Sequence, residues 1–119
     1  MAEKQIVPEQ KSLRRCERQY ARLRAELGVI AFILQGSITR RWMQCGKPGC
    51  PCHQDPKVRH GPYYQWSWKR AGKTVSIYLD KEQAALCRQW IANNRKLERI
   101  IQRMRVLSLR VARLRQIVP

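Results

Sequence analysis

The sequence predicts an α+β fold in which two long antiparallel coiled-coil helices flank a small three-stranded antiparallel β tip. Two observations predict it. Apolar residues recur at alternating spacings of three and four near both ends of the chain, and three short segments between them are rich in β-branched and aromatic residues. At 119 residues, the chain suits one elongated unit. We divide it into an N-terminal coiled-coil helix (1–36), a β tip (37–79) and a C-terminal basic coiled-coil helix (80–119).

The first helix is predicted over residues 9–35. Pro8 suits a helix start, and Gly36 is expected to end the helix. The apolar positions between them follow a heptad seam; they are Leu13, Cys16, Tyr20, Leu23, Leu27, Ile30 and Leu34.

The last helix is predicted to begin after Asp80, a good N-cap, with Glu82 in the first turn. No Gly or Pro interrupts its heptad pattern, and Asn93 is the single polar seam residue, which can fix the register. The seam positions are Leu86, Trp90, Asn93, Leu97, Ile100, Met104, Leu107, Val111, Leu114 and Val118.

Three strands are predicted over residues 37–43, 63–69 and 74–79. The last two alternate with period two, and the Gly-containing stretch 70–73 supplies a hairpin turn between them. The first strand is expected to add to this hairpin, which gives a three-stranded antiparallel sheet.

Folding the helices back on each other places Leu34 near Leu86 and Tyr20 near Leu97, and the first helix then ends before the last one does. The positions left uncovered are Val111, Leu114, Ile117 and Val118. Because such an apolar stripe needs a partner, the sequence predicts a homodimer or docking onto a larger protein.

A dense cluster of cysteine and histidine follows the first strand. Cys45, Cys50, Cys52 and His60 have the spacing C-x4-C-x-C-x7-H, and three thiolates with one imidazole form a standard structural zinc set. His53 is the alternative imidazole, but it adjoins Cys52, and neighbouring residues rarely both reach one tetrahedral ion. The sequence therefore predicts a structural Zn²⁺ ion bound through His60, with no coordination position open for catalysis.

Three other chemistries compete for these residues. They are free thiols prone to oxidation, an iron–sulfur cluster and a Cys–His nucleophile. An iron–sulfur cluster needs a fourth cysteine ligand, but the two remaining cysteines, Cys16 and Cys87, fall on the predicted helices. We expect both to be small buried side chains there. A thiolate flanked by two others is better explained by a metal than by a nucleophile.

The charge of the chain is strongly positive. Its 25 basic and 8 acidic residues give a net charge of +17, and 17 of the basic residues are arginine. This balance predicts a polyanionic partner, nucleic acid above all. The sequence lacks an apolar run long enough for a membrane span and an N-terminal apolar signal, so we expect a cytoplasmic protein, nucleoid-associated if it binds DNA.

The predicted nucleic-acid-binding residues are basic and aromatic side chains of the β tip and basic side chains of the last helix. Residues 37–79 carry eight basic residues and one acidic residue. The predicted set is Arg40, Arg41, Lys47, Lys57, Arg59, Tyr63, Tyr64, Lys69, Arg70, Lys73, Arg95, Arg99 and Arg103. Trp66 and Trp68 are expected to pack in the core.

We expect a dimeric accessory or regulatory factor that binds DNA, with an RNA-binding ribonucleoprotein component as the alternative. A coiled-coil adaptor that docks on a larger protein is the alternative from another class. An enzyme is not expected. Asp55 is the single acidic residue between residues 27 and 79, so paired carboxylates for two-metal catalysis are missing there. The AGKT at 71–74 lies in a hairpin rather than a phosphate-binding loop.

Three stretches, GSITRRWMQCGKPGCPC, HGPYYQWSW and AGKTVSIYL, resemble a family of small uncharacterised bacterial and archaeal proteins. The resemblance covers roughly residues 36–105. It implies that the histidine of the His-Gly-Pro motif, here His60, accompanies the cysteines. It also suggests an association with mobile elements and an accessory role in DNA or RNA transactions, and it implies no assigned activity.

Overall fold

A computed structural model of the chain describes residues 8–119. Its elements, in chain order, are α1 (Pro8–Leu27), β1 (Ser37–Met43), β2 (His60–Arg70), β3 (Lys73–Leu79) and α2 (Lys81–Leu114). The described residues form two compact units, one made of residues 8–31 with Arg95–Pro119 and the other of Phe32–Asn94. The predicted α+β class is confirmed. Neither helix of the described part has an apolar stretch that could cross a membrane.

Helix α1 ends at Leu27, so the prediction that it continues to residue 35 is wrong. The amide of Gly28 still donates to the carbonyls of Arg24 and Ala25, both at 3.2 Å. Glycine has a low helix propensity and the following Val29 is β-branched, so the helix is weak here, and the contacts of the segment that follows keep it from continuing to Gly36.

The segment after α1 is fixed by contacts inside the second unit. The amide of Leu34 donates to the carbonyl of Trp90 at 3.1 Å, and the side-chain amide of Asn93 donates to the carbonyl of Phe32 at 2.8 Å. The side chain of Asn93 therefore bonds the backbone of the segment after α1, which explains a polar residue on the side of α2 that faces this segment.

The first unit is held by an apolar cluster between α1 and residues 95–114 of α2. Cys16, Leu23, Ile100 and Leu107 are buried at its centre. Cys16 and Tyr20 share one groove with Val111, whereas Glu26 shares another with Arg103, so the two helical segments run antiparallel. Partly buried residues complete the cluster; they are Tyr20, Leu27, Ile30, Met104, Val111 and Leu114.

This packing corrects the register expected from the sequence. Val111 and Leu114, two of the four residues expected to be uncovered, pack against the cluster within the chain. Ile117 keeps 71% of its surface exposed. Because α1 is shorter than predicted, its apolar side chains pack against residues that lie closer to the C-terminal end of α2 than the sequence predicted.

The start of α2 is capped as predicted. The carboxylate of Asp80 accepts from the amide of Gln83 at 2.7 Å, and the side chain of Gln83 accepts from the amide of Asp80 at 2.9 Å. This reciprocal pair is a capping box. The apolar seam of α2 does not begin at Leu86 as predicted. Ala84 and Ile91 are buried, whereas Leu86 is 46% exposed.

The predicted three-stranded antiparallel sheet is confirmed, and its strand order is β1-β2-β3. Residues paired across antiparallel strands share a face of the sheet, and the pairing Ile38–Trp66–Ile77 assigns one face. On that face the indoles of Trp66 and Trp68 stack with ring centroids 3.8 Å apart. The indole nitrogen of Trp66 donates to the carbonyl of Gln35 at 2.8 Å, so the segment that precedes β1 contacts this face at Trp66.

Gly36 is required where that segment meets the sheet. Its φ is +106°, and a Cβ there would meet the carbonyl oxygen of Ser67 and lie 2.7 Å from the indole nitrogen of Trp66. The glycine that resembled a helix stop in the sequence therefore permits a close backbone approach.

Candidate metal centre and basic surface

The pairing of β1 and β2 brings the first and last residues of the Cys/His cluster together. Met43 at the end of β1 pairs with His60, the first residue of β2. Cys45 follows two residues after Met43, so the strand ends hold a cysteine and a histidine at the base of one loop.

The loop between these strands is folded by two short 3₁₀ turns, Pro51–His53 and Pro56–Val58. Cys50 immediately precedes the first turn and its carbonyl accepts from the amide of His53 at 3.0 Å. The carboxylate of Asp55 caps the second turn by accepting from the amide of Lys57 at 3.0 Å. Proline at the first position of each turn suits the fixed φ that a turn start needs. The turns fold the remaining two cysteines back towards the strand ends.

The four predicted ligands converge. The sulfurs of Cys45, Cys50 and Cys52 and a ring nitrogen of His60 all lie within 4.8 Å of one another. The sulfurs of Cys45 and Cys52 are 3.5 Å apart, and the sulfur of Cys50 lies 3.4 Å from the Nε2 atom of His60. Ligand bonds of about 2.0–2.3 Å in a tetrahedron give edges of about 3.5–3.8 Å. The residues therefore fit a tetrahedral metal ion.

Of the two histidines, His60 belongs to the cluster, as the sequence predicted. His53 lies in the first 3₁₀ turn with an exposed side chain. The backbone adds one contact to the sulfurs, since the amide of Cys45 donates to the sulfur of Cys52 at 3.2 Å. Amide donors of this kind stabilise a thiolate.

The three thiols have different environments. A hydrogen bond with the backbone of Lys47 lowers the pKa of Cys45, and one with the backbone of Cys52 lowers the pKa of Cys50. Burial raises the pKa of Cys52, whose side chain is only 1% exposed. A buried thiolate between two other sulfurs is unfavourable unless a cation balances it, so a bound cation would stabilise the ionised form of Cys52.

The predicted basic residues of the sheet separate onto two faces. Arg40 and Arg41 are neighbours in β1 and therefore point to opposite sides. The guanidinium of Arg40 lies 5.6 Å from the ring centroid of Trp42. Arg41 lies on the other face, where its guanidinium donates to the side chain of Gln65 at 3.2 Å.

Tyr63 and Tyr64 also lie on opposite faces of the sheet. Tyr63 pairs with Arg41, whereas Tyr64 pairs with Arg40 and has the guanidinium of Arg88 5.3 Å from its ring centroid. The other predicted basic residues of this unit are all exposed; they are Lys47, Lys57, Arg59, Lys69, Arg70 and Lys73. Arg95, Arg99 and Arg103 are exposed in the other unit.

Fold and site together define a small α+β protein with a Cys₃His cluster that can hold a metal ion. The chain belongs to the family described as Domain of unknown function (DUF6788), whose model matches residues 6–89. This match includes α1 and ends within α2, whereas the resemblance noted in the sequence spans 36–105. No curated protein and no solved structure matches the chain.

Proposed function

We propose that this chain is a non-enzymatic nucleic-acid-binding protein whose sheet is stabilised by a structural zinc ion. Thiolate ligands need a reducing compartment, so the proposal places the protein in the cytoplasm. Its role would be that of an accessory or regulatory factor in DNA transactions, such as those of the mobile elements that the family resemblance suggests.

The support for zinc comes from burial as well as from the ligand set. Within residues 37–79, all of which the structure describes, Cys52 is the single fully buried residue. A sheet with so little core needs another source of stability, and structural zinc supplies on the order of 10 kcal/mol in small domains. Four protein ligands complete a tetrahedral shell, which is typical of structural rather than catalytic zinc.

The observation that best supports nucleic-acid binding is the excess of basic over acidic residues on an exposed surface. Residues 37–79 contain eight basic residues and one acidic residue. All eight basic side chains are exposed, and the one carboxylate, that of Asp55, accepts from the amide of Lys57 in a local turn. Such a surface attracts phosphates through counterion release.

Helix α2 adds a second source of positive charge. Residues 80–119 carry ten basic and three acidic residues, and the exposed Arg95, Arg99 and Arg103 recur at the spacing that shares one helical side. Two of the four residues from which the sequence predicted a dimer, Val111 and Leu114, pack within the chain, so the proposal rests on the charge of one chain and not on a dimer.

A salt titration tests this proposal. The affinity for duplex DNA, single-stranded DNA and RNA is measured by fluorescence anisotropy from low to physiological salt. We expect the logarithm of the affinity to fall with the logarithm of salt concentration with a slope of about six or more. The Arg41→Ala, Lys69→Ala double variant should reduce that slope by about two.

The matched control is the Arg14→Ala, Arg18→Ala double variant. It makes the same change of charge on α1, outside the proposed surface, and should leave the slope unchanged. Weak binding to every nucleic acid with little salt dependence would contradict the proposal and favour the adaptor.

A further inference from the structure

One face of the sheet carries hydroxyl, amide and aromatic side chains. We call it the open face and define it by the pairings Ser37–Ser67–Ser76, Thr39–Gln65–Tyr78, Arg41–Tyr63 and Lys69–Thr74. Each of these side chains is exposed except those of Gln65 and Ser67, which are partly buried. The hydroxyls of Ser67 and Ser76 are 2.8 Å apart. The open face is thus lined by hydrogen-bonding groups that remain within reach of a ligand.

Two aromatic rings lie side by side on the open face. Tyr63 is 42% exposed and Tyr78 is 58% exposed, and their ring centroids are 6.5 Å apart with the planes at 72°. The tryptophans of the opposite face differ, because Trp66 and Trp68 stack on each other. Tyr63 and Tyr78 therefore offer exposed ring surface to a ligand.

Positive charge lies at both ends of this surface. Arg41 pairs with Tyr63 near one end of β2, and Lys69 lies six residues along the same strand. At about 3.3 Å per residue, the two positions are separated by about 20 Å. Gln65 holds the Arg41 guanidinium at 3.2 Å, and the pairings that define the open face include no carboxylate.

These features select one chemistry. Side-chain cations bind phosphates, hydroxyl and amide groups bind base edges, and exposed aromatic rings stack on base faces. In a duplex, neighbouring base pairs already cover the base faces, so only an unpaired nucleotide can stack on Tyr63 or Tyr78. We infer that the open face binds single-stranded nucleic acid, with Tyr63 and Tyr78 each stacking on an unpaired base. This inference rests on the proposed function and specifies its ligand.

The test compares three labelled ligands of equal length at fixed low salt: oligothymidine, an abasic strand and duplex DNA. The abasic strand keeps the phosphates and lacks the bases. The Tyr63→Leu, Tyr78→Leu variant removes the flat rings and keeps apolar bulk, whereas the matched Tyr63→Phe, Tyr78→Phe variant keeps the rings. Metal content and circular dichroism establish that both variants are folded.

We expect wild-type protein to bind oligothymidine at least about tenfold more tightly than the abasic strand. The leucine variant should lose on the order of 30-fold in affinity for oligothymidine, and the phenylalanine variant should retain it. All three proteins should bind the abasic strand equally.

Equal affinity of wild-type protein for oligothymidine and the abasic strand would overturn the inference without using any variant. Equal affinity of the folded leucine and phenylalanine variants for oligothymidine would also overturn it. In both cases salt-dependent binding would persist, and the proposed function would stand. Failure of wild-type protein to bind any of the three ligands would instead overturn the proposed function, and this inference with it.

Discussion

A Cys50→Ser variant is expected to lose its bound metal and to unfold residues 37–79 while keeping most of its helix. The Cys50 sulfur lies 3.4 Å from the His60 ring nitrogen, and a serine hydroxyl is a poor substitute for a thiolate ligand of zinc. The sheet has almost no buried core to compensate. The apolar cluster of the first unit contains none of the four ligands.

Two spectroscopic signals separate these outcomes. Near-ultraviolet circular dichroism reports the fixed packing of aromatic side chains, here the stacked Trp66–Trp68 pair of the sheet. Far-ultraviolet circular dichroism reports α1 and α2. The variant should lose the first signal and keep much of the second.

Cys87→Ser is the matched control for the loss of one thiol. Cys87 is a partly buried cysteine in α2 and lies outside the cluster. It should retain the metal and both spectroscopic signals. If Cys50→Ser keeps its near-ultraviolet signal in full, the sheet does not depend on the metal.

A Leu23→Ala variant is expected to destabilise the chain by about 2–5 kcal/mol, the usual cost of truncating a buried leucine. Leu23 is 8% exposed and contributes to the cluster with Cys16, Ile100 and Leu107. The measurement is urea unfolding followed by far-ultraviolet circular dichroism. Metal content should not change, because the residue is not part of the cysteine cluster.

Leu86→Ala makes the same chemical change at a helical leucine that is 46% exposed. Its cost should stay within about 0.5 kcal/mol, as for most surface substitutions. The sequence pattern assigns both leucines to an apolar seam, so this pair tests the corrected seam directly. A larger loss for Leu86→Ala than for Leu23→Ala would contradict the packing described here.

The sheet and the Cys₃His cluster were predictable because the sequence patterns that indicate them are local. Period-two alternation and the turn at 70–73 define the β2–β3 hairpin, and the spacing of Cys45, Cys50 and Cys52 matches ligand sets for one ion. The choice of His60 over His53 followed from chain geometry, since an imidazole adjacent to Cys52 could not reach the same ion as easily.

The end of α1 and the start of the α2 seam were not predictable from local pattern. Apolar residues continue at heptad spacing through Ile30 and Leu34, but contacts with Trp90 and Asn93, about sixty residues further along the chain, hold this segment outside the helix. Gly36 resembled a helix stop, but the helix ends at Leu27, just before Gly28. Only the structure shows the close approach of Gly36 to Trp66 and Ser67.

The open face could be identified only from the strand register. The sequence places Tyr63 and Tyr78 fifteen residues apart, and only the pairing of β2 with β3 brings them side by side. The same register assigns Arg40 and Arg41 to opposite faces. Alternation along β1 predicts that separation, but only the structure shows which face the segment before β1 contacts.

Elemental analysis of freshly purified, reduced protein tests the central claim most directly, namely that one metal ion joins Cys45, Cys50, Cys52 and His60. We expect one zinc ion per chain in the wild-type protein. A His53→Ala variant should retain that ion, whereas His60→Ala should bind it more weakly and lose it first to a chelator. A folded, reduced wild-type protein without stoichiometric metal would contradict the account.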